Sequence, residues 1–387
     1  MDVVYLALTY PVRVVWHTLR TLFLPCRSNV ELVHGNGSPP EWLDAFKKAC
    51  SALDGFVPTP WAPGALSQTI LGSTVFSMDS TVKFRRELLN TPDGDVVVLD
   101  WVCAESDAAT TQHGTHADSE DSTPICLILH GINGNSSYVA AGARVAMEHG
   151  MRAVGVNKRG HAEGVDLLQP RLMSLTDPTD VRLIVTTLKS RHPSAPLFLV
   201  GCSAGAAQAS CYLMDYPDDH LLDGVVCVSH GFDARQLFEG GCLVWPYSYY
   251  MLKGLKDFVE KNKRALGKCI DLDEVRRTST CVDYYTNVDV RIYGAESFPA
   301  LVGFEEKLSS FQRADVPFAC IHSRDDPVIP AKMIPFDVIG GKKDSLLILS
   351  DHGGHCGFLE GWSGRRWDFH VACSFLQQVS SWKAKKE

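Results

Sequence analysis

Pro196-Leu197-Phe198-Leu199-Val200-Gly201-Cys202-Ser203-Ala204-Gly205 is an apolar run that ends in the pattern G-x-S-x-G. A run of this length reads as a buried strand, and the pattern at its exit reads as a nucleophile elbow, a sharp strand-to-helix turn that lifts one serine hydroxyl out of the backbone. The glycines two residues before and two after Ser203 answer a steric demand. The serine backbone is strained there and the following helix crosses close to the turn, so a larger residue would clash. Ser203 is therefore the candidate nucleophile.

Outward from this turn the chain alternates strand and helix: 125–130, 139–148, 152–156, 179–190, 196–200, 204–215 and 224–230, then strands at 317–322 and 345–349 after a long interruption. Alternation of this kind builds a parallel sheet with helices on both faces. The strands are continuous apolar runs, as expected when both faces are covered. The fold class expected is α/β, an α/β-hydrolase fold with a mostly parallel central sheet, helices on both faces and a helical cap insertion. The cap falls at about 234–315, around the helical pattern 250–266 and the aromatic cluster Trp245, Tyr247, Tyr249 and Tyr250. Aromatics so placed read either as the lining of an acyl tunnel or as plain core.

A serine hydroxyl is a poor nucleophile at neutral pH and needs a histidine base, itself oriented by an acid. In this fold the chain order is Ser, then Asp or Glu, then His, each in a loop after a later strand. Asp326 follows the strand 317–322 in Asp325-Asp326-Pro327-Val328-Ile329-Pro330, and His355 follows the strand 345–349 in His352-Gly353-Gly354-His355. Asp325 and Asp233 compete for the acid role, with a helix cap and a loop-fixing side chain as their other readings, and His352 competes for the base. Asp-x-x-x-Pro at a strand exit favours Asp326. The two glycines before His355 favour that ring over His352, whose place nearer the strand suggests backbone hydrogen bonding. The oxyanion hole is expected from backbone N–H groups of Ile132, in His130-Gly131-Ile132, and Ala204. His130 and His161 read as loop-holding residues. No metal or cofactor is required.

With 387 residues, 45% of them hydrophobic and 21% charged, the chain reads as one globular α/β domain over 27–387. A net charge of −8 supplies no field for a phosphate backbone, so nucleic acid is not an expected partner. Thirteen cysteines, several in strand-like runs and none in a C-x-x-C pair, fit a reducing compartment. Residues 27–75 read as an irregular wrap ahead of a hairpin around Asp93-Gly94, and 104–123 as a solvated polar loop. Residues 1–26 read as an N-terminal helix. Within residues 3–24, Arg13, His17 and Arg20 stand opposite Val14, Val15, Leu19, Leu22 and Phe23, as in a helix lying on a membrane surface, the other reading being a helix packed on the body of the fold. The localisation expected is intracellular and membrane-associated.

Over about residues 60–380 the chain resembles the YheT-like branch of the α/β-hydrolases, which includes eukaryotic α/β-hydrolase-domain lipases and yeast medium-chain fatty acid ethyl ester synthase/esterases. The resemblance is carried by Gln68-Thr69-Ile70, Asp93-Gly94, Leu99-Asp100-Trp101, Leu129-His130-Gly131, Asn157-Lys158-Arg159-Gly160, the elbow, Asp325-Asp326-Pro327 and, most specifically, 352–361. It departs at the elbow, where the family has Gly-Trp-Ser-Leu-Gly and this chain has smaller Cys202 and Ala204, and at His161, where a cysteine or glycine is common. Those changes bear on pocket shape. The resemblance implies a triad of Ser203, one Asp of the 325–326 pair and His355, and serine ester chemistry on acyl lipids by hydrolysis or by transfer to an alcohol. A peptidase or amidase would use the same triad, and a non-catalytic binding module would keep only the fold.

Overall fold

A computed structural model describes residues 28–36, 40–62, 64–103, 122–172, 174–303 and 307–383. The apolar runs form the middle of a nine-stranded sheet: β1 (Val30–His34), β2 (Phe84–Asn90), β3 (Val96–Val102), β4 (Ile125–Leu129), β5 (Arg152–Asn157), β6 (Leu197–Cys202), β7 (Gly224–Val228), β8 (Phe318–Ser323) and β9 (Ser345–Ser350). Their order is β1-β9-β8-β7-β6-β4-β5-β3-β2. The strands from β5 through β4, β6, β7 and β8 to β9 run parallel, and antiparallel strands close both ends, β1 on β9 and β3 then β2 on β5. This is the mostly parallel, helix-flanked sheet of an α/β-hydrolase.

Continuous hydrophobicity within a strand still sorts by face, because successive side chains point to opposite sides. Ile125, Leu127 and Leu129 of β4 pack with Leu197 and Leu199 of β6 against the helices Thr179–Arg191 and Ala204–Asp215. Cys126 and Ile128 pack with Phe198 and Val200 on the other face, against Ala140–Glu148 and Trp367–Lys383. At about 25 cal/mol per Å² of apolar surface, these two layers are the main source of stability.

The order reverses at β4, with β5 on one side of it and β6 on the other. The loops leaving β4 and β6 therefore part company and leave a crevice at the carboxyl ends of the strands, where open α/β sheets bind ligands. Above it, helices including Ala234–Phe238, Tyr247–Lys261, Cys281–Asn287 and Phe298–Val302 bury a core of their own with Leu255, Val259, Tyr284, Tyr285 and Phe298. Leu167 and Leu172, from the chain beyond β5, join that core. Further along, Phe311 of the helix Leu308–Arg313 belongs to the sheet core instead.

The segment 27–75 is more ordered than an irregular wrap. It contains the edge strand β1 and the helices Pro40–Ala49 and Ala65–Gly72. The hairpin at Asp93-Gly94 is present, with Gly94 at φ +83°. The N-terminal helix read at 1–26, the membrane contact read at 3–24 and nearly all of the polar loop, 104–121, lie outside the described residues.

Candidate active site

Ser203 stands between β6 and the helix Ala204–Asp215 with φ 53° and ψ −115°, a conformation that costs a non-glycine residue about 1–3 kcal/mol. A Cβ on Gly201 would lie 2.5 Å from Gly205 O and 2.6 Å from Ala206 Cα, and one on Gly205 would lie 2.3 Å from Leu129 O. The elbow thus permits only glycine at both positions.

His355 Nε2 lies 2.8 Å from Ser203 Oγ. On the other side of the ring, Nδ1 lies 2.9 Å from Asp326 Oδ2 and 3.2 Å from Oδ1. A carboxylate facing Nδ1 keeps the proton on that nitrogen and leaves the Nε2 lone pair to accept from the serine hydroxyl. Asp326 is buried, and its Oδ1 also accepts the backbone N–H groups of Val328 and Ile329, each at 2.8 Å. Burial alone would raise its pKa, but His355, then His322 and the Ile329 N–H, outweigh burial and hold the carboxyl below its ordinary value.

The competing residues have other partners. Asp325 Oδ1 accepts the backbone N–H of Gly354 at 2.9 Å, and its Oδ2 faces His352 Nδ1 at 3.2 Å. It braces the turn that carries His355. The His352 ring thus faces a carboxylate. Asp233 caps the helix Ala234–Phe238 by accepting from Gln236 N at 2.8 Å.

Two further supports of His355 come from the segment read as a wrap. Thr69 Oγ1 accepts the backbone N–H of His355 at 2.9 Å, and Gln68 Oε1 accepts that of Leu359 at 2.7 Å. Their signal was Gln68-Thr69-Ile70, a motif without evident chemistry of its own.

Ala204 opens the helix after the nucleophile, where N–H groups have no intrahelical acceptor. Ile132 lies in the loop after β4, and a Cβ on its neighbour Gly131 would stand 3.7 Å from Ser203 Cβ. Ile132 and Ala204 both line the smaller of the two cavities that contain Ser203, and Ile132 lines the larger one as well. That loop is tied down from behind. Ser136 Oγ donates to Asp100 Oδ2 at 2.5 Å, and Asn157 Nδ2 to the same oxygen at 2.9 Å, while Ser136 N donates to Asn157 Oδ1 at 2.9 Å. Buried His130 and half-buried His161 also hold the loop, through the carbonyls of Gly131 at 2.7 Å and Gly134 at 3.0 Å. Burial first, then the Lys158 charge, keeps both rings neutral, His161 at about 3.

A cavity of about 370 Å³ contains Ser203 and His355 and reaches Tyr138, Tyr247, Tyr250 and Phe369. A smaller apolar one of about 60 Å³ shares Ser203 and Val328 and is lined by Phe232, Leu237, Phe238 and Met333. Of the cap aromatics, Tyr247 and Tyr250 reach the larger cavity, whereas Trp245, Tyr249 and Tyr250 are more than half exposed. The lining role thus falls to Tyr247 and Tyr250, and plain core does not describe the exposed members of the cluster.

A hydroxyl with a base behind it, backbone N–H groups beside it and an apolar cavity in front can attack a carbonyl and hold an acyl group. Comparisons with known proteins bear on that chemistry. A family model described as serine aminopeptidase S33, Hydrolase_4, matches residues 120–360. Protein ABHD15 of Homo sapiens is 30% identical over 340 residues, which cover 85% of this chain and 70% of that protein. Phospholipase ABHD3 of Bos taurus is 28% identical over 311 residues, 79% of this chain and 74% of the other. Monoacylglycerol lipase of Saccharomyces cerevisiae is 26% identical over 278 residues, 67% and 60%.

Proposed function

The chain belongs to the Hydrolase_4 family of α/β-hydrolases, among the ABHD-type serine hydrolases, and we propose that it cleaves carboxylic esters of acyl lipids through an acyl-enzyme on Ser203. The observation that carries this reading is the relay Asp326–His355–Ser203 at the floor of a largely apolar cavity. Relatives named for phospholipid and monoacylglycerol cleavage support the lipid class.

In the first half-reaction Ser203 Oγ bonds to the ester carbon as its proton passes to His355 Nε2, and the carbonyl π pair moves onto oxygen. Asp326 stabilises the imidazolium. The N–H groups of Ile132 and Ala204 receive the oxyanion, each such donor lowering the barrier by about 3 kcal/mol. Collapse expels the alcohol, which takes the proton from Nε2, and leaves the acyl group on Ser203. Water then repeats the sequence in reverse and releases the acid. An alcohol in place of water would yield a new ester, so acyl transfer is the same chemistry with a different acceptor.

A fluorophosphonate probe is expected to label Ser203 and not the Ser203→Ala variant. A panel of p-nitrophenyl esters, monoacylglycerols and aminoacyl amides tests the substrate class, with ester turnover far above amide turnover expected. Faster cleavage of the amides would replace this reading with a peptidase one, and no labelling at all would leave a binding module. Ethyl ester formed from an acyl donor in ethanol would establish transfer. We further place the protein on an intracellular membrane surface, from the pattern at 3–24 and the cysteine usage. A chain lacking residues 1–25 that pellets with membranes as fully as the whole protein would remove that placement.

A further inference from the structure

The peptide unit between Gly131 and Ile132 joins the Gly131 carbonyl to the N–H assigned above to the oxyanion. Three donors converge on the carbonyl oxygen: His130 Nδ1 at 2.7 Å, Lys158 Nζ at 3.0 Å and the backbone N–H of Gly134 at 3.4 Å. His130 donates through Nδ1 because its Nε2 accepts the backbone N–H of Lys158, at 3.2 Å. A peptide is planar, so anchoring its C=O aims its N–H in the opposite direction. A charged donor on the carbonyl also draws electron density across the amide and leaves the N–H more positive, a cooperative gain of about 10–30% per bond.

Lys158 is buried, and among the described residues no carboxylate lies within ion-pair distance of its Nζ. An ammonium without a counter-ion is costly inside a protein. Negative charge does arise next to it, transiently, when the ester oxygen becomes an oxyanion on the other side of the Gly131–Ile132 peptide.

We propose that Lys158 is a positioning residue of the reaction, whose ammonium, together with His130, grips the Gly131 carbonyl and so orients and polarises the Ile132 N–H for the oxyanion. This rests on the serine hydrolase reading above. The titratable and charged groups facing Lys158 are His130, His161 and Cys202, and around the small cavity that it lines Arg159, Tyr284, Tyr285 and Asp289. Burial brings the ammonium down to about 7, so its charge is present below neutrality and is lost as pH rises. The grip weakens in the same direction.

The test compares the full chain with Lys158→Met, which removes the donor, and Lys158→Gln, which keeps a donor without charge. The measurements are kcat and KM on a p-nitrophenyl ester from about pH 6 to 9 and the rate of Ser203 phosphonylation by a fluorophosphonate. Lys158→Met is expected to lower kcat about 10- to 100-fold with KM changed less than about two-fold, and to slow phosphonylation in proportion. Lys158→Gln should recover part of that loss, and both variants should lack the alkaline fall in kcat shown by the natural chain. Natural kcat with an intact alkaline fall in either variant, or a loss confined to KM, overturns the proposal. If Lys158→Met does not fold, Lys158→Gln decides on the same readings. If the natural chain is labelled at Ser203 yet turns over no ester, the functional reading fails while the phosphonylation rates still decide the role of Lys158.

Discussion

Asp325 and Asp326 are adjacent in the chain and differ in what they hold. Asp326 reaches the His355 ring at 2.9 Å, whereas Asp325 reaches the peptide of Gly354, one residue earlier. Asp326→Asn should therefore lower kcat by about 10⁴-fold, because the amide no longer fixes the histidine tautomer. Asp325→Asn keeps an acceptor for the Gly354 N–H and should cost less than about ten-fold. Steady-state kinetics on one ester separates the two; comparable losses would mean that the pair shares the acid role.

At the scale of elements, the helix Ala65–Gly72 serves as a prop for the loop that carries His355, through Thr69 and Gln68. Thr69→Val conserves shape and removes the acceptor, so kcat should fall about 2- to 10-fold with little change in KM. An unchanged kcat would reduce this helix to packing alone. The elbow, the sheet's parallel strands and the order Ser203, Asp326, His355 were legible in the sequence because each is written locally, as an apolar run, a glycine pattern or a turn. The helix Ala65–Gly72 and the strand β1 were not. Val30-Glu31-Leu32-Val33-His34 is short and half polar, and what makes it a strand is the exposed edge of β9. Lys158 and Asp100 were visible as motif residues, but their work depends on which backbone groups the fold sets before them, and no spacing rule reports that.

For the whole molecule, the cap and the sheet meet around a cavity whose wall includes Val328, shared by the two spaces that contain Ser203. Filling it with Val328→Trp should lower kcat/KM for long-chain p-nitrophenyl esters at least about ten-fold more than for the acetyl ester. Equal losses at every chain length would mean that the acyl group lies elsewhere. Of the aromatics at 245–250, Tyr247 and Tyr250 line this cavity while Trp245 and Tyr249 are exposed, a division that a sequence does not report because it does not say where a cavity opens. The pairing of β1 with β9 joins Val30 to Ser350, a separation of 320 residues. Synthesis proceeds at about 5–20 residues per second, so the first of these strands waits roughly 15–65 s on the ribosome before its partner exists. Through that interval it is a bare ribbon in search of a mate, and limited proteolysis of stalled nascent chains should cut near residues 30–34 until β9 has emerged from the ribosome, and not afterwards.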